Sequence, residues 1–186
     1  MKKNKSKFTG WLVLALIIFV AVITVRHFHI KNFNTVMPDV LYTSGQPRGM
    51  DYTRLLYKYH IAAIVNIRNT TEHREENWHN EEITWVKNNG VKYVELPVKK
   101  DSAASNTPDA NVIEKFLAIM AEKNNLPVLV HDSSGKKRVA YLAAAWMLRS
   151  GEFTYEQTVE KIEKINDRPL NEQEADFLKS LSIGVK

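Results

Sequence analysis

A chain of 186 residues with 44% apolar and 10% aromatic side chains has the material for one globular core plus an appendage. It contains no cysteine, which excludes disulfides, thiolate metal sites and thiol catalysis in the chain as it stands. Of its 26 basic residues, six fall in residues 1 to 33 beside no acidic one; the remaining 20 face 21 acidic residues, a near-neutral balance that argues against a nucleic-acid partner.

The chain opens with an apolar segment. After MKKNKSK, the stretch FTGWLVLALIIFVAVITV (8–25) carries no charge over 18 residues, enough at about 1.5 Å per residue to cross most of a bilayer's hydrocarbon. Four lysines precede it and only Arg26 and Lys31 closely follow. The positive-inside bias then makes residues 1–7 a cytoplasmic basic tail and puts the domain on the extracytoplasmic, periplasmic side of the inner or plasma membrane. No small-x-small pattern closes the apolar run, so a single-pass anchor is expected rather than a cleaved signal. Residues 26–37 read as a linker, without helical period and ended by Pro38. His27 and His29 lack the acidic or sulfur company of a metal site, and no metal is expected.

The domain is expected over residues 38–186. VLYTS (40–44) predicts a strand, MDYTRLLYKYH (50–60) a helix with Leu55, Leu56 and Tyr59 inward, and IAAIVNIR (61–68) a buried strand. REENWHNEEITWVKNNG (74–90) predicts a helix with Trp78 and Trp85 on one face and Gly90 as its stop. A strand, VKYVELPV (91–98), and a polar loop, KKDSAASNT (99–107), lead to the helix PDANVIEKFLAIMAEKN (108–124), with Thr107 as N-cap and Pro108 at the first helical position. LPVLVH (126–131) is expected to be the most buried strand, and VAYLAAAWMLRSG, TYEQTVEKIEKIN and NEQEADFLKSL are three closing helices. Strands alternating with helices predict an α/β fold, a mainly parallel sheet flanked by helices.

In such folds ligands gather at the carboxyl ends of the strands, where a loop enters a helix N-terminus. HDSSGKKR (131–138) holds that position. Ser133, Ser134 and Gly135 are small enough for successive N–H groups to converge on one anion, and the following helix adds its positive end. Arg138 supplies a fork of donors matched to phosphate oxygens. The loop therefore reads as a receptacle for a phosphoryl group.

HDSSGKKR resembles the signature loop of the cysteine-dependent protein tyrosine and dual-specificity phosphatases, His-Cys-x-x-Gly-x-x-Arg, with Asp132 at the cysteine. LYTSGQP, AAIVNIR, the acidic EE helix, GVKYVELPV and TPDANVIEKFLAIM are similar, in the same order, to the compact bacterial and fungal members, so the resemblance spans roughly residues 38 to 170. It implies a phosphatase mechanism without a cofactor. A thiolate attacks phosphorus, Arg138 stabilises the equatorial oxygens, and an aspartic acid on a movable loop protonates the leaving oxygen. Asp101 matches that acid, with Asp109 as its rival. His131 matches the histidine that orders the loop. Lys136 and Lys137 resemble the basic pair of members acting on inositol phosphates or pyrophosphates, so that substrate class stands beside phosphorylated proteins.

The sequence departs from the family at two positions. Val139 stands where a hydroxyl residue assists release of the thiol, and Asp132 replaces the nucleophile. Three accounts of Asp132 are open: a cysteine replaced to silence the site, a natural pseudophosphatase that binds without turnover, or an aspartate that forms an acyl phosphate. The last is disfavoured, because loop amides and Arg138 would tie up the carboxylate and its charge would repel a phosphate dianion. The expectation is a catalytically silent chain. Nothing in the sequence specifies an oligomeric state.

Overall fold

The computed structural model describes residues 3–27, 29–73, 77–98 and 107–183, of which 3–8, 22–27, 70, 73 and 183 are described by backbone alone. Helix α1 (Lys3–His27) is followed by β1 (Asn34–Met37), β2 (Leu41–Ser44), α2 (Met50–Tyr57), β3 (Ala63–Asn66) and a short 3-10 helix, Thr70–His73. Then come α3 (Trp78–Asn89), β4 (Lys92–Glu95), α4 (Ala110–Ala121), β5 (Val128–His131), α5 (Lys137–Ser150), α6 (Tyr155–Asn166) and α7 (Glu172–Ile183).

The strands form one sheet in the order β1-β2-β5-β3-β4, with β5 central and every pairing parallel except β1 with β2. Ser44, His131 and Asn66 stand side by side in register, so three strands present their carboxyl ends on one line. Alternation then sorts side chains between two cores. Leu41, Ala63, Val65, Val128 and Val130 pack with residues of α4 to α7, whereas Tyr42, Ile64 and Leu129 pack with residues of α2 and α3. Continuous burial on both faces is what a central parallel strand requires, and all four residues of β5 are buried.

Helix α5 carries the larger core. Every residue from Arg138 to Leu148 is buried, and Ala143, Ala144 and Ala145 leave room for its neighbours to approach closely. Gly151 ends the helix in the left-handed conformation, φ 75°. Helix α6 starts with a reciprocal Thr154–Gln157 capping box.

Several sequence expectations need correcting. Within the span read as linker, residues 34–37 form edge strand β1, and Ile30 and Val36 are buried. A four-residue edge strand is too short to display an alternating pattern. The N-cap of α4 is Asp109, not Thr107: its carboxylate accepts from the Val112 amide at 2.9 Å, so the helix begins at Ala110 and Pro108 lies outside it. As for the membrane span expected at 8–25, among the described residues no helix is long and apolar enough to cross a membrane.

Candidate active site

The loop leaving β5 folds around the side chain of Asp132, which is 2% exposed. Its Oδ1 accepts from the backbone amides of Ser134 at 2.8 Å and Gly135 at 2.5 Å, and from the Ser134 hydroxyl at 3.3 Å. Its Oδ2 accepts from Arg138 Nε at 3.0 Å. Amides and a guanidinium that converge on one point form a receptacle for an oxyanion, and here a carboxylate of the chain itself sits in it.

Gly135 makes this closure feasible. It adopts φ +73°, and a Cβ there would stand 2.2 Å from the Gly45 nitrogen and 2.5 Å from the Ser44 carbonyl carbon. The loop therefore lies directly on the turn that follows β2, joined to it by a Gly45–Ser134 bridge.

Arg138 is buried and reaches beyond Asp132. Its two terminal nitrogens donate to Glu72 Oε1 at 2.7 Å and Oε2 at 3.2 Å. Burial alone would lower the pKa of Arg138, but the hydrogen bond to Glu72 and the charges of Asp132 and Glu72 raise it. Burial pushes Glu72 upward, and Arg138, the Asn69 amide and Arg68 outweigh it, holding the carboxyl below its ordinary value. Arg68 Nε lies 3.4 Å from Glu72 Oε2, and its guanidinium stacks 3.8 Å from the Trp78 ring centre. A chain of contacts from Trp78 through Arg68 and Glu72 thus orients Arg138.

A second carboxylate lies under the loop. Alternation along the strands puts His131 and Asn66 on the α3 side of the sheet, where Glu82 is fully buried. Glu82 accepts from Gln46 and Tyr52 at 3.3 Å each, from Asn66 at 3.3 Å and from Tyr93 at 3.1 Å. His131 Nε2 stands 3.1 Å from Glu82 Oε1, an ion-pair distance, though off the line of a good hydrogen bond. Burial pushes Glu82 upward, yet the His131 charge and the Tyr93 and Tyr52 hydroxyls hold it below the usual carboxylate range. Burial also raises both phenols, which keeps them protonated as donors.

These features decide the kinship. The sequence matches the dual specificity phosphatase catalytic domain over residues 41–182, well over half of the chain. The chain belongs to the dual-specificity phosphatase family. By family it is a phosphoric monoester hydrolase. Its fold is similar to the core catalytic domain of the PP-IP phosphatase Siw14 from S. cerevisiae, with TM-score 0.66 and 17% identity over 81% of this chain and 85% of that one. It is also similar to a putative phosphatase from Shewanella putrefaciens CN-32 (TM-score 0.62, 21% identity, 84% and 92% covered). PTPMT1, solved in complex with PI(5)P, gives TM-score 0.64 and 18% identity over 81% of this chain and 94% of that one. At these identities the likeness establishes the fold.

Against the dual-specificity phosphatase pattern, the structure brings His131, Asp132, Ser133, Ser134, Gly135 and Arg138 together at one strand end. Ser133 Oγ lies 3.4 Å from an Arg138 terminal nitrogen. Lys136 is half-buried where α5 begins. Lys137 turns toward another partner, its ammonium 3.8 Å from Glu174 Oε1 on α7. Asp101 lies outside the described residues, and Asp109 uses its carboxylate as a helix cap. Val139 is fully buried in the larger core, which explains an apolar residue at the hydroxyl position. Sequence reasoning missed Glu72 and Glu82. A charged residue four positions past Arg68, just beyond a strand's carboxyl end, was the available signal for Glu72; Glu82 left none.

Proposed function

We propose that this dual-specificity phosphatase family member is membrane-tethered and holds its own carboxylate in the phosphate loop, so that it binds oxyanions weakly and turns over phosphomonoesters at or near zero rate. The observation that carries the reading is the engagement of Asp132 by the Ser134 and Gly135 amides and by Arg138 Nε. A carboxylate so held has its lone pairs occupied, and its charge opposes an incoming phosphate dianion. Acyl-phosphate chemistry at Asp132 is disfavoured on both counts.

With cysteine at position 132 the same donors would favour a thiolate. The sulfur would attack phosphorus as the bond from phosphorus to the leaving oxygen breaks, and Asp101 would give that oxygen a proton. Arg138 would hold the equatorial oxygens. Asp101 is the better acid because the Asp109 carboxylate is committed to the Val112 amide.

The substrate class is a phosphorylated protein. A second reading, an inositol phosphate, is supported by Lys136 beside the loop and by the PP-IP and PI(5)P named for Siw14 and PTPMT1. The tether rests on the uncharged stretch 8–25. Residues 11–21 of α1 are exposed around the whole circumference, with Trp11 72% and Phe19 62% exposed, and an all-apolar surface of that kind favours lipid over water. The positive-inside bias then places the domain on the extracytoplasmic side of the membrane.

The test is hydrolysis of an aryl phosphate and of an inositol phosphate by the full chain and by Asp132→Cys. The variant should gain at least about a thousandfold, the order expected for restoring a nucleophile. Equal rates would overturn the reading of Asp132.

A further inference from the structure

The segment between α1 and β1 touches the phosphate loop at two points. Lys31 Nζ donates to the Ser133 carbonyl at 2.8 Å, and Asn32 Nδ2 donates to the Ser134 carbonyl at 2.7 Å, each across 102 residues of sequence. The contacts are braced. The Lys31 carbonyl accepts from the Gly45 amide at 2.7 Å, and Gly45 is itself bridged to Ser134. Asn32 takes φ +45°, a left-handed conformation that asparagine tolerates better than most residues, and Asn34 Nδ2 donates to its carbonyl at 3.0 Å.

Peptide geometry turns these contacts into a statement about the oxyanion site. In a planar trans peptide the carbonyl of one residue and the N–H of the next point in opposite directions. A Ser133 carbonyl held outward by Lys31 sends the Ser134 N–H inward, and a Ser134 carbonyl held outward by Asn32 does the same for the Gly135 N–H. Those are the two amides that converge on Asp132 Oδ1. The lysine also places a positive charge behind the first of these peptides, which polarises it in the direction that strengthens its N–H as a donor.

We propose that Lys31 and Asn32 are positioning residues of the phosphate loop: by gripping the outward carbonyls of Ser133 and Ser134 they aim the Ser134 and Gly135 amides at a bound oxyanion. The inference deepens the reading of this loop as an oxyanion site. Its geometric half, the aiming of two peptides, stands in the native chain without any ligand.

Two measurements on the full chain in detergent separate the halves. The first is amide hydrogen exchange over residues 132–138 in native protein, Lys31→Met, Lys31→Arg and Asn32→Gly, the last of which removes the amide without straining φ. Lys31→Met and Asn32→Gly should speed exchange in the loop about fivefold to tenfold, the weight of one hydrogen bond. Exchange in β5 and the middle of α5 should not change, and Lys31→Arg should stay near native. The second is tungstate affinity in an Asp132→Ser background, which should fall about fivefold to tenfold with either disrupting change. Unchanged loop exchange in the Lys31→Met/Asn32→Gly double variant, or a rise spread evenly over β5 and α5, overturns the proposal. Failure of Asp132→Ser itself to bind tungstate would sink the oxyanion reading of the loop, while the exchange result would still decide the positioning role.

Discussion

Arg168, among the C-terminal helices, and Arg138, at the strand ends, each hold a glutamate through two terminal nitrogens, Glu174 buried and Glu72 half-buried. Arg168 donates to Glu174 at 2.8 and 2.6 Å, six residues away, and the pair is completed by the Tyr141 hydroxyl and the Asn171 amide. Arg138 donates to Glu72 at 2.7 and 3.2 Å across 66 residues and has a second carboxylate, Asp132, on its Nε. The first cluster is saturated by groups that belong to it, and its arginine side chain is 35% exposed. In the second the arginine side chain is 5% exposed, and the function proposed above has one of its two anions exchange for a bound one. The same chemistry serves as a clasp in one place and, on the function proposed above, as a binding site in the other.

Breaking the clasp and the site should separate them. Arg138→Met leaves the buried Asp132 without its cation and the half-buried Glu72 with Arg68 alone, so it should cost about 3 kcal/mol in urea unfolding, the low end of the range for stripping a buried ion pair of one partner. The loss should shrink in an Asp132→Ser background, where one anion is already gone, and additivity of the two changes would contradict the shared site.

The clasp should respond instead to acid. Arg168, Asn171 and Tyr141 outweigh burial and lower Glu174 from 4.5 to about 2. A carboxyl lowered in the folded state contributes stability above its unfolded pKa and loses it as pH falls through the folded one. Stability should therefore drop between about pH 4.5 and pH 2 by on the order of 3 kcal/mol, and Glu174→Gln should flatten that limb of a pH series of thermal melts. Arg168→Met, at a more exposed arginine, should cost less, about 1 to 2 kcal/mol, and leave tungstate binding by Asp132→Ser unchanged.

The contrast also explains what could be read in the sequence. Gly135, Arg138 and the small serines of the loop belong to one contiguous run, so their spacing announced an anion site before any fold was known. The central strand was equally plain, since VLVH has no polar face until its last residue. Glu72 and Glu82 meet their partners only after β3, α3 and β5 are assembled, and no local pattern reports a pairing of that length. Lys31 and Asn32 lay in a stretch that had no period to recognise. At α4, Thr107 and Asp109 are both good caps within three residues, and only the backbone decides between them. Lys137 sits beside the loop in sequence, but its ammonium is drawn to Glu174 on α7.

The central claim is that Asp132 occupies the seat of a bound oxyanion. Titration of phosphate or tungstate into the full chain and into Asp132→Ser tests it most directly. Removing the resident carboxylate should tighten binding by at least about tenfold, equivalent to relief of roughly 1.4 kcal/mol of competition and repulsion. Equal affinity in the two proteins, or tighter binding by the chain that keeps Asp132, would contradict it.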